Sequence, residues 1–202
     1  MIPRVATAKA SQLKLIDLNQ IFSYRHSVFV ERLNWTLPDA GAGLEVDQFD
    51  RDNTYHVCIR DAGATVGYAR LLPTTEPYLL SEVFPELMDG ALIPRSSAVW
   101  ELSRFCSVDL RSPSEPRRQA DFGGCQAVLR AAVQCALEHD VSRLIAVSSV
   151  AMERILSRLG VNASRASPTK QLHGHSVFAF WIDLDDMTKN ALRITFSAAE
   201  AA

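Results

Sequence analysis

Val99-Trp100-Glu101-Leu102-Ser103-Arg104-Phe105-Cys106-Ser107-Val108 is the most strand-like stretch of this 202-residue chain. Side chains of a strand alternate between its two faces, which is expected to put Glu101, Ser103 and Phe105 on one side and Trp100, Leu102, Arg104 and Cys106 on the other. Both sides carry apolar bulk, so the strand belongs at the centre of a sheet, and its ionisable side chains need partners there. Working outward, Thr54–Ile59 and Val66–Leu72 read as two strands joined through Asp61-Ala62-Gly63, a hairpin signal, with Val66, Tyr68, Arg70 and Leu72 on one face. Arg143–Ser148 and His175–Asp183 read as further strands, the second after a turn at His173-Gly174. Helical spacing of apolar residues predicts helices over Asp17–Leu33, just after Pro77 (Leu79, Leu80, Val83, Phe84, Leu87), over about Asp121–His139, and over Val150–Leu159 with Ser149 as N-cap and Gly160 as terminator. Strands alternating with helices after an opening hairpin indicate the α/β class, with a mixed twisted sheet flanked by helices.

Composition sets the bounds. The length fits one domain over residues 1–202, and 48% hydrophobic residues supply a full core. A formal net charge of −2 argues against a nucleic-acid partner, which needs a basic footprint. No apolar run reaches the roughly 18 residues of a membrane span, and Met1-Ile2-Pro3-Arg4-Val5 lacks the layout of a signal peptide, so the expected location is cytoplasmic. Cys58, Cys106, Cys125 and Cys135 form no Cys-x-x-Cys pair and read as buried thiols. The Ala-rich tail from about residue 194 is expected to be mobile.

Charge in apolar surroundings is the feature that points to chemistry. Arg25 lies on the apolar stripe of the first helix, Arg70 and Arg104 lie on strands, and Glu45, Asp47, Asp50 and Glu101 are the carboxylates available to them. Trp35–Asp52 is a long segment containing Pro38, Gly41 and Gly43, and long loops inside compact domains are usually functional or disordered. These charges either line a polar pocket or pin that loop to the sheet; spacing alone does not choose. His173 and His175 lack a third ligand at familiar spacing, so no metal site is expected. Ser148-Ser149 lacks the Gly-x-Ser-x-Gly surroundings of a nucleophile elbow. Arg154 and Arg158, four apart on a helix, with Arg165 and Lys170 following, form either a solvated face or a dock for an acidic partner.

Four strings in order then carry a resemblance. Tyr24-Arg25-His26-Ser27-Val28-Phe29-Val30-Glu31-Arg32-Leu33-Asn34-Trp35, Glu45-x-Asp47-Gln48-Phe49-Asp50, Ala69-Arg70-Leu71-Leu72-Pro73-Thr74-Thr75-x-Pro77-Tyr78-Leu79-Leu80 and Trp100-Glu101-Leu102-Ser103-Arg104-Phe105 resemble the acyl-homoserine-lactone synthases of the LuxI type. The likeness spans about Tyr24 to Phe105 and continues more weakly from Asp121 to Gly160.

The resemblance implies a GNAT-like fold with an acyl-chain tunnel. It also implies a reaction that joins S-adenosylmethionine, a consumed co-substrate rather than a cofactor, to an acyl group on an acidic acyl carrier protein. It assigns Arg25, Phe29, Trp35, Asp47, Asp50, Arg70 and Arg104 to the S-adenosylmethionine site or its supporting shell. Glu101 is expected to be the general base, with Ser103 positioning the acyl carbonyl and backbone N–H groups at a splay or bulge holding the oxyanion. Phe105, Ala146, Ser148, Met152 and Leu156 are expected to contact the acyl chain. A hydroxyl at the position of Ala146 accompanies 3-oxo substrates in this family, so Ala146 points to a straight, unsubstituted chain of medium length such as octanoyl. Arg154, Arg158, Arg165 and Lys170 are expected to dock the carrier. The absence of a clear phosphate-binding Gly loop between Arg118 and Gly124 favours that carrier over coenzyme A. The rivals are a GNAT-like N-acyltransferase using acyl coenzyme A and another amine, and a non-catalytic sensor of an acylated or adenosyl ligand.

Overall fold

Val99–Cys106 lies in the middle of one mixed sheet, as its two apolar faces require. The computed structural model describes residues 3–37, 42–112, 122–172 and 174–195. Strand β1 (Arg4–Lys9) leads through a 3-10 turn into helix α1 (Leu15–Arg25), which continues as a π-helix over His26–Arg32. The hairpin β2 (Tyr55–Asp61) and β3 (Ala64–Pro73) follows, then α2 (Leu79–Glu82), a 3-10 turn over Pro85–Met88, β4 (Val99–Cys106) and α3 (Phe122–Leu137). The chain ends with β5 (Arg143–Ser149), α4 (Val150–Leu159), β6 (Ala163–Arg165), β7 (Lys170–Leu172), β8 (His175–Asp183) and α5 (Asp186–Ala191). Among the described residues these strands form one sheet in the order β1-β2-β3-β4-β5-β8-β6, with β7 also paired to β8. Only β4 and β5 run parallel.

Two bulges overturn the simple alternation. In β3, Ile59 pairs with Gly67 but Arg60 pairs with Thr65. Val66 is therefore an extra residue and packs with the α3 core instead of sharing a face with Tyr68 and Arg70. In β4, Arg70 pairs with Ser103 but Tyr68 pairs with Cys106, and Arg104 takes a left-handed φ of 50°. That extra residue turns Arg104 onto the face of Glu101 and Ser103 and sends Phe105 to the opposite face with Trp100 and Leu102. Bulges re-aim side chains in this way, and a period of two cannot foresee them.

The faces are built differently. Helices α3 and α4 cover one, enclosing Trp100, Leu102, Phe105, Ala146, Phe178 and Phe180. On the other, α1 and its π-helical extension cover Tyr68 and Cys106, while α2 and its neighbours cover Leu72 and Ile145. The π geometry is marked by Leu33 N–H donating to the Val28 carbonyl, and it keeps Val28 and Phe29 both fully buried. The expected single helix over Asp17–Leu33 is thus two segments. Strands β1, β6 and β7 and helix α5 escape the sequence reading because they are short or, like β1 with Val5 58% exposed, lack a buried face.

The hairpin turns on Ala62 and Gly63, both at positive φ, the geometry of a two-residue type I′ turn. Gly67 serves close packing: a Cβ there would lie 2.5 Å from Val128 Cγ2 on α3. Gly67→Ala is expected to cost about 1–3 kcal/mol by overpacking, read as a lower urea midpoint; an unchanged midpoint would show that α3 can shift freely.

Ser149 sits at the N-cap of α4, but its side chain makes no cap bond; Gly160 ends the helix as expected. All four cysteines are buried, and none is in a disulfide. No described helix is long and apolar enough to cross a membrane. Ile194 packs in the core, against the expectation of mobility from there. The rest of that tail from Phe196, along with Pro38, Gly41, Pro113, Pro116, Arg117, Arg118, Asp121 and His173, lies outside the described residues.

Candidate active site

The segment that follows the π-helix folds back over β3 and β4 and brings its carboxylates to three arginines. Arg25, from the end of α1, donates through Nε to Glu45 and through both terminal nitrogens to Asp50, at 2.6 and 3.0 Å. Arg70 on β3 makes a bidentate pair with Asp47 at 2.6 and 3.0 Å, reaches Asp50 at 3.1 Å, and donates through Nε to Ser103 Oγ at 3.0 Å. Arg104, turned inward by the bulge, binds Glu45 at 2.9 Å and Asp47 at 3.0 Å. The loop fixes its own shape: Asp47 N–H donates to Asp50, Phe49 N–H to Asp47, and the Thr54 hydroxyl to the Phe49 carbonyl.

Three guanidinium groups and three carboxylates thus neutralise one another. Burial opposes the charged forms of Arg25, Arg70, Glu45 and Asp50, yet the neighbouring guanidinium groups hold Glu45 and Asp50 below the ordinary carboxylate range, Tyr68 and then the carboxylates raise Arg25, and the carboxylates raise Arg70. Arg25 lies between the Phe22 and Tyr68 rings, 5.4 and 5.6 Å from their centres. Arg25, Asp50, Glu45 and Arg70 are almost wholly buried, and the network opens to solvent at Asp47, 15% exposed, and Arg104, 7% exposed. The choice between a pocket and a loop pin is therefore divided. Arg25, Asp50 and Glu45 brace the loop; Asp47 and Arg104 present its outer edge.

That edge is lined by aromatic rings. Phe29, fully buried, and Trp35, 36% exposed, lie with ring centres 4.8 Å apart, and the Arg104 guanidinium is 5.9 and 6.0 Å from them. Cations favour aromatic faces, so an incoming positive group would compete with Arg104 for these rings.

Glu101 occupies the same face. It is buried, and its carboxylate accepts from Leu79 N–H at 3.0 Å and Leu80 N–H at 2.7 Å, the first amides of α2. Desolvation pushes its pKa up to about 7, against the pull of those amides and of Arg70 and Arg104. A carboxyl group so poised can exchange a proton near neutrality. Its anchoring of α2 had no signal in the sequence, because the partners are backbone groups.

The residues expected to contact the acyl chain lie on the opposite face, where Phe105, Ala146, Met152 and Leu156 belong to one buried cluster. Ser148 follows Ala146 by two on β5 and pairs with Phe178. Pairing between β4 and β5 runs only from Val99 with Arg143 to Leu102 with Ala146. Beyond it β4 continues to Cys106 beside β3, while β5 continues to Ser149 beside β8. The strands part at this point, and the Arg104 bulge sits on the rim of the opening. The end of that pairing lies between the charged face and the apolar face of the sheet.

The basic residues do not form one patch. Arg154 and Arg158 are exposed on α4, with the Arg158 guanidinium 5.3 Å from the Phe122 ring. Arg165 is paired bidentately with Glu153 at 2.7 Å, and Lys170 binds Asp89 and the Glu86 carbonyl beside the core on the other face. The sequence reading also passed over His56. It is buried on β2, bonded through Nδ1 to Tyr68 Oη at 2.7 Å, and held neutral by burial, which lowers its pKa to about 4.

A mixed sheet that opens between two parallel strands, with a charged shell on one face and an apolar cluster on the other, is a GNAT-like fold, and the comparisons agree. The autoinducer synthase family model matches residues 9–192. An acyl-homoserine-lactone synthase of Ralstonia solanacearum is 47% identical over 178 residues, covering 87% of this chain and 86% of that protein. The crystal structure of TofI in a ternary complex with an inhibitor and MTA superposes with a TM-score of 0.83 at 41% identity, over 95% of this chain and 97% of TofI. The coenzyme A-dependent acyl-homoserine lactone synthase BjaI, solved with MTA, gives 0.80 at 25% identity, over 95% of this chain and 88% of BjaI. The chain belongs to the autoinducer synthase family, and within it to the acyl-homoserine-lactone synthases.

Proposed function

We propose that this enzyme, working in the cytoplasm, makes N-acyl-L-homoserine lactone from S-adenosylmethionine and a straight medium-length acyl chain, such as octanoyl, carried by an acyl carrier protein. Methylthioadenosine and the holo-carrier are released. The observation that carries the reading is the end of β4–β5 pairing at Leu102 and Ala146, between the charged face bearing Glu101 and the apolar face bearing Phe105 and Ala146. An amine on one side can reach a thioester whose acyl chain lies in a tunnel on the other.

S-adenosylmethionine sits at the outer edge of the network. Arg104 takes its carboxylate, Asp47 faces its ammonium, and Trp35 and Phe29 face the sulfonium and adenine. Arg25, Asp50 and Arg70 hold Asp47 and Arg104 in place. Glu101 accepts the ammonium proton through a water, since both its oxygens already receive backbone N–H groups. The freed amine attacks the thioester carbon, backbone N–H groups beside the bulge hold the oxyanion, and the carrier sulfur departs as the thiol. Ser103, whose oxygen accepts from Arg70, retains its hydroxyl proton to orient the acyl carbonyl. The substrate carboxylate then displaces methylthioadenosine from the γ-carbon and closes the ring. Sulfonium is already a good leaving group, so the protein mainly holds the folded conformer, and neither cofactor nor metal is required.

The chain of the acyl group lies along Phe105, Ala146, Ser148, Met152 and Leu156. Ala146 offers no donor to a 3-oxo group, which supports an unsubstituted chain. One similar protein bears on the donor: BjaI is coenzyme A-dependent, whereas Arg154 and Arg158, exposed on α4, suit an acidic carrier. The deciding experiment compares octanoyl carrier protein, octanoyl coenzyme A and 3-oxo-octanoyl carrier protein at equal concentration. The highest kcat/KM is expected with octanoyl carrier protein; a higher value with coenzyme A would reverse the donor assignment.

Arg154→Glu with Arg158→Glu is expected to raise the KM for the carrier thioester about tenfold at low salt, with kcat nearly unchanged and the effect fading as ionic strength rises. An unchanged KM would remove the docking role. Arg165 and Lys170, already engaged, contribute less.

A further inference from the structure

We propose that Phe178, locked from outside by Arg165 and Glu153, is the wall that limits acyl-chain length; this rests on the acyl site proposed above. Register places Phe178 opposite Ser148 and Phe180 opposite Ala146, one strand over from the residues assigned to the acyl chain. A chain lying over Ala146 and Ser148 has Phe105 on its β4 side, Met152 and Leu156 of α4 above it, and these two rings on its β8 side. Phe178 is fully buried, with its ring centre 6.1 Å from that of Phe180, so the pair fills the space into which a longer chain would extend.

What distinguishes Phe178 is its outer face. The Arg165 guanidinium lies 4.4 Å from the ring centre and is itself held by two 2.7 Å bonds to Glu153 on α4. A planar guanidinium stacked on a ring and bidentate to a carboxylate fixes both in one geometry. It ties α4 to β8 across the end of the apolar cluster, so the ring cannot swing outward. Arg165 is therefore a positioning residue for specificity, a use unrelated to docking an acidic carrier.

The test offers the enzyme an equimolar mixture of hexanoyl, octanoyl, decanoyl and dodecanoyl carrier protein and measures the lactones by mass. Phe178→Leu is expected to raise the dodecanoyl-to-octanoyl product ratio about tenfold or more, within the range one or two methylenes of pocket space are worth. Arg165→Met, which keeps Phe178, is expected to move the ratio in the same direction by about threefold, whatever its effect on the KM for the carrier, since a ratio among chain lengths on one carrier cancels any loss of docking. Product ratios within about twofold of wild type in both variants, each with a cooperative melt, would overturn the proposal. A wild-type enzyme that yields lactone from no donor would instead refute the function reading, and this inference with it.

Discussion

Glu101→Gln is expected to lower kcat by about 10²- to 10⁴-fold, the usual worth of a positioned general base, while leaving the protein folded. The side chain is buried on β4 and its pKa stands at about 7, so wild-type kcat/KM should rise through that pH as the carboxyl group ionises. Glutamine has no such ionisation, and the limb should vanish. A second consequence follows from the bonds to α2. Glutamine can accept from Leu80 N–H but turns its own amide toward Leu79 N–H, and an unpaired buried donor costs about 1–3 kcal/mol. Purely structural damage would lower stability and leave the pH limb where it was. Stability linkage has a definite sign here as well: because the folded pKa lies above the unfolded one, the contribution of Glu101 is present below the ordinary carboxylate pKa and is lost as pH rises through about 7.

Arg70→Met should cost about 3–5 kcal/mol of stability, because breaking a buried ion-pair network strands the charges left behind. Arg70 is fully buried and joins Asp47, Asp50 and Ser103. Its loss leaves Asp50 with Arg25 alone and frees Asp47 from its bidentate partner. The measurement is the urea midpoint at constant m, with a change below about 1 kcal/mol showing that the network adds little. The pH dependence runs opposite to that of Glu101. Glu45 and Asp50 have depressed folded pKa values, so their stabilisation is present above the ordinary carboxylate range and is lost as pH falls through the lower folded values. Arg70→Met should flatten that acid limb.

How far the sequence reaches is clear at β4. Its central place, and the need of Arg25, Arg70 and Arg104 for carboxylates, follow from apolar bulk on both faces and from the cost of burying unpaired charge. The orientation of Arg104 and Phe105 does not, because one left-handed residue shifts the register and no local pattern announces it. The same holds for the α2 amides on Glu101, the π-helical turns after Arg25, and the engagement of Arg165 and Lys170 with Glu153 and Asp89. Each depends on groups brought together by long-range folding. The charged residues are legible in the sequence; their division into a buried brace and an exposed edge comes from the geometry.

The most direct test incubates the enzyme with S-adenosylmethionine and octanoyl carrier protein and follows carrier thiol, methylthioadenosine and octanoyl-homoserine lactone together. The account predicts that all three appear in equal amounts at one rate. Thiol released without methylthioadenosine, or an acylated amine retaining its sulfonium as the final product, would contradict it.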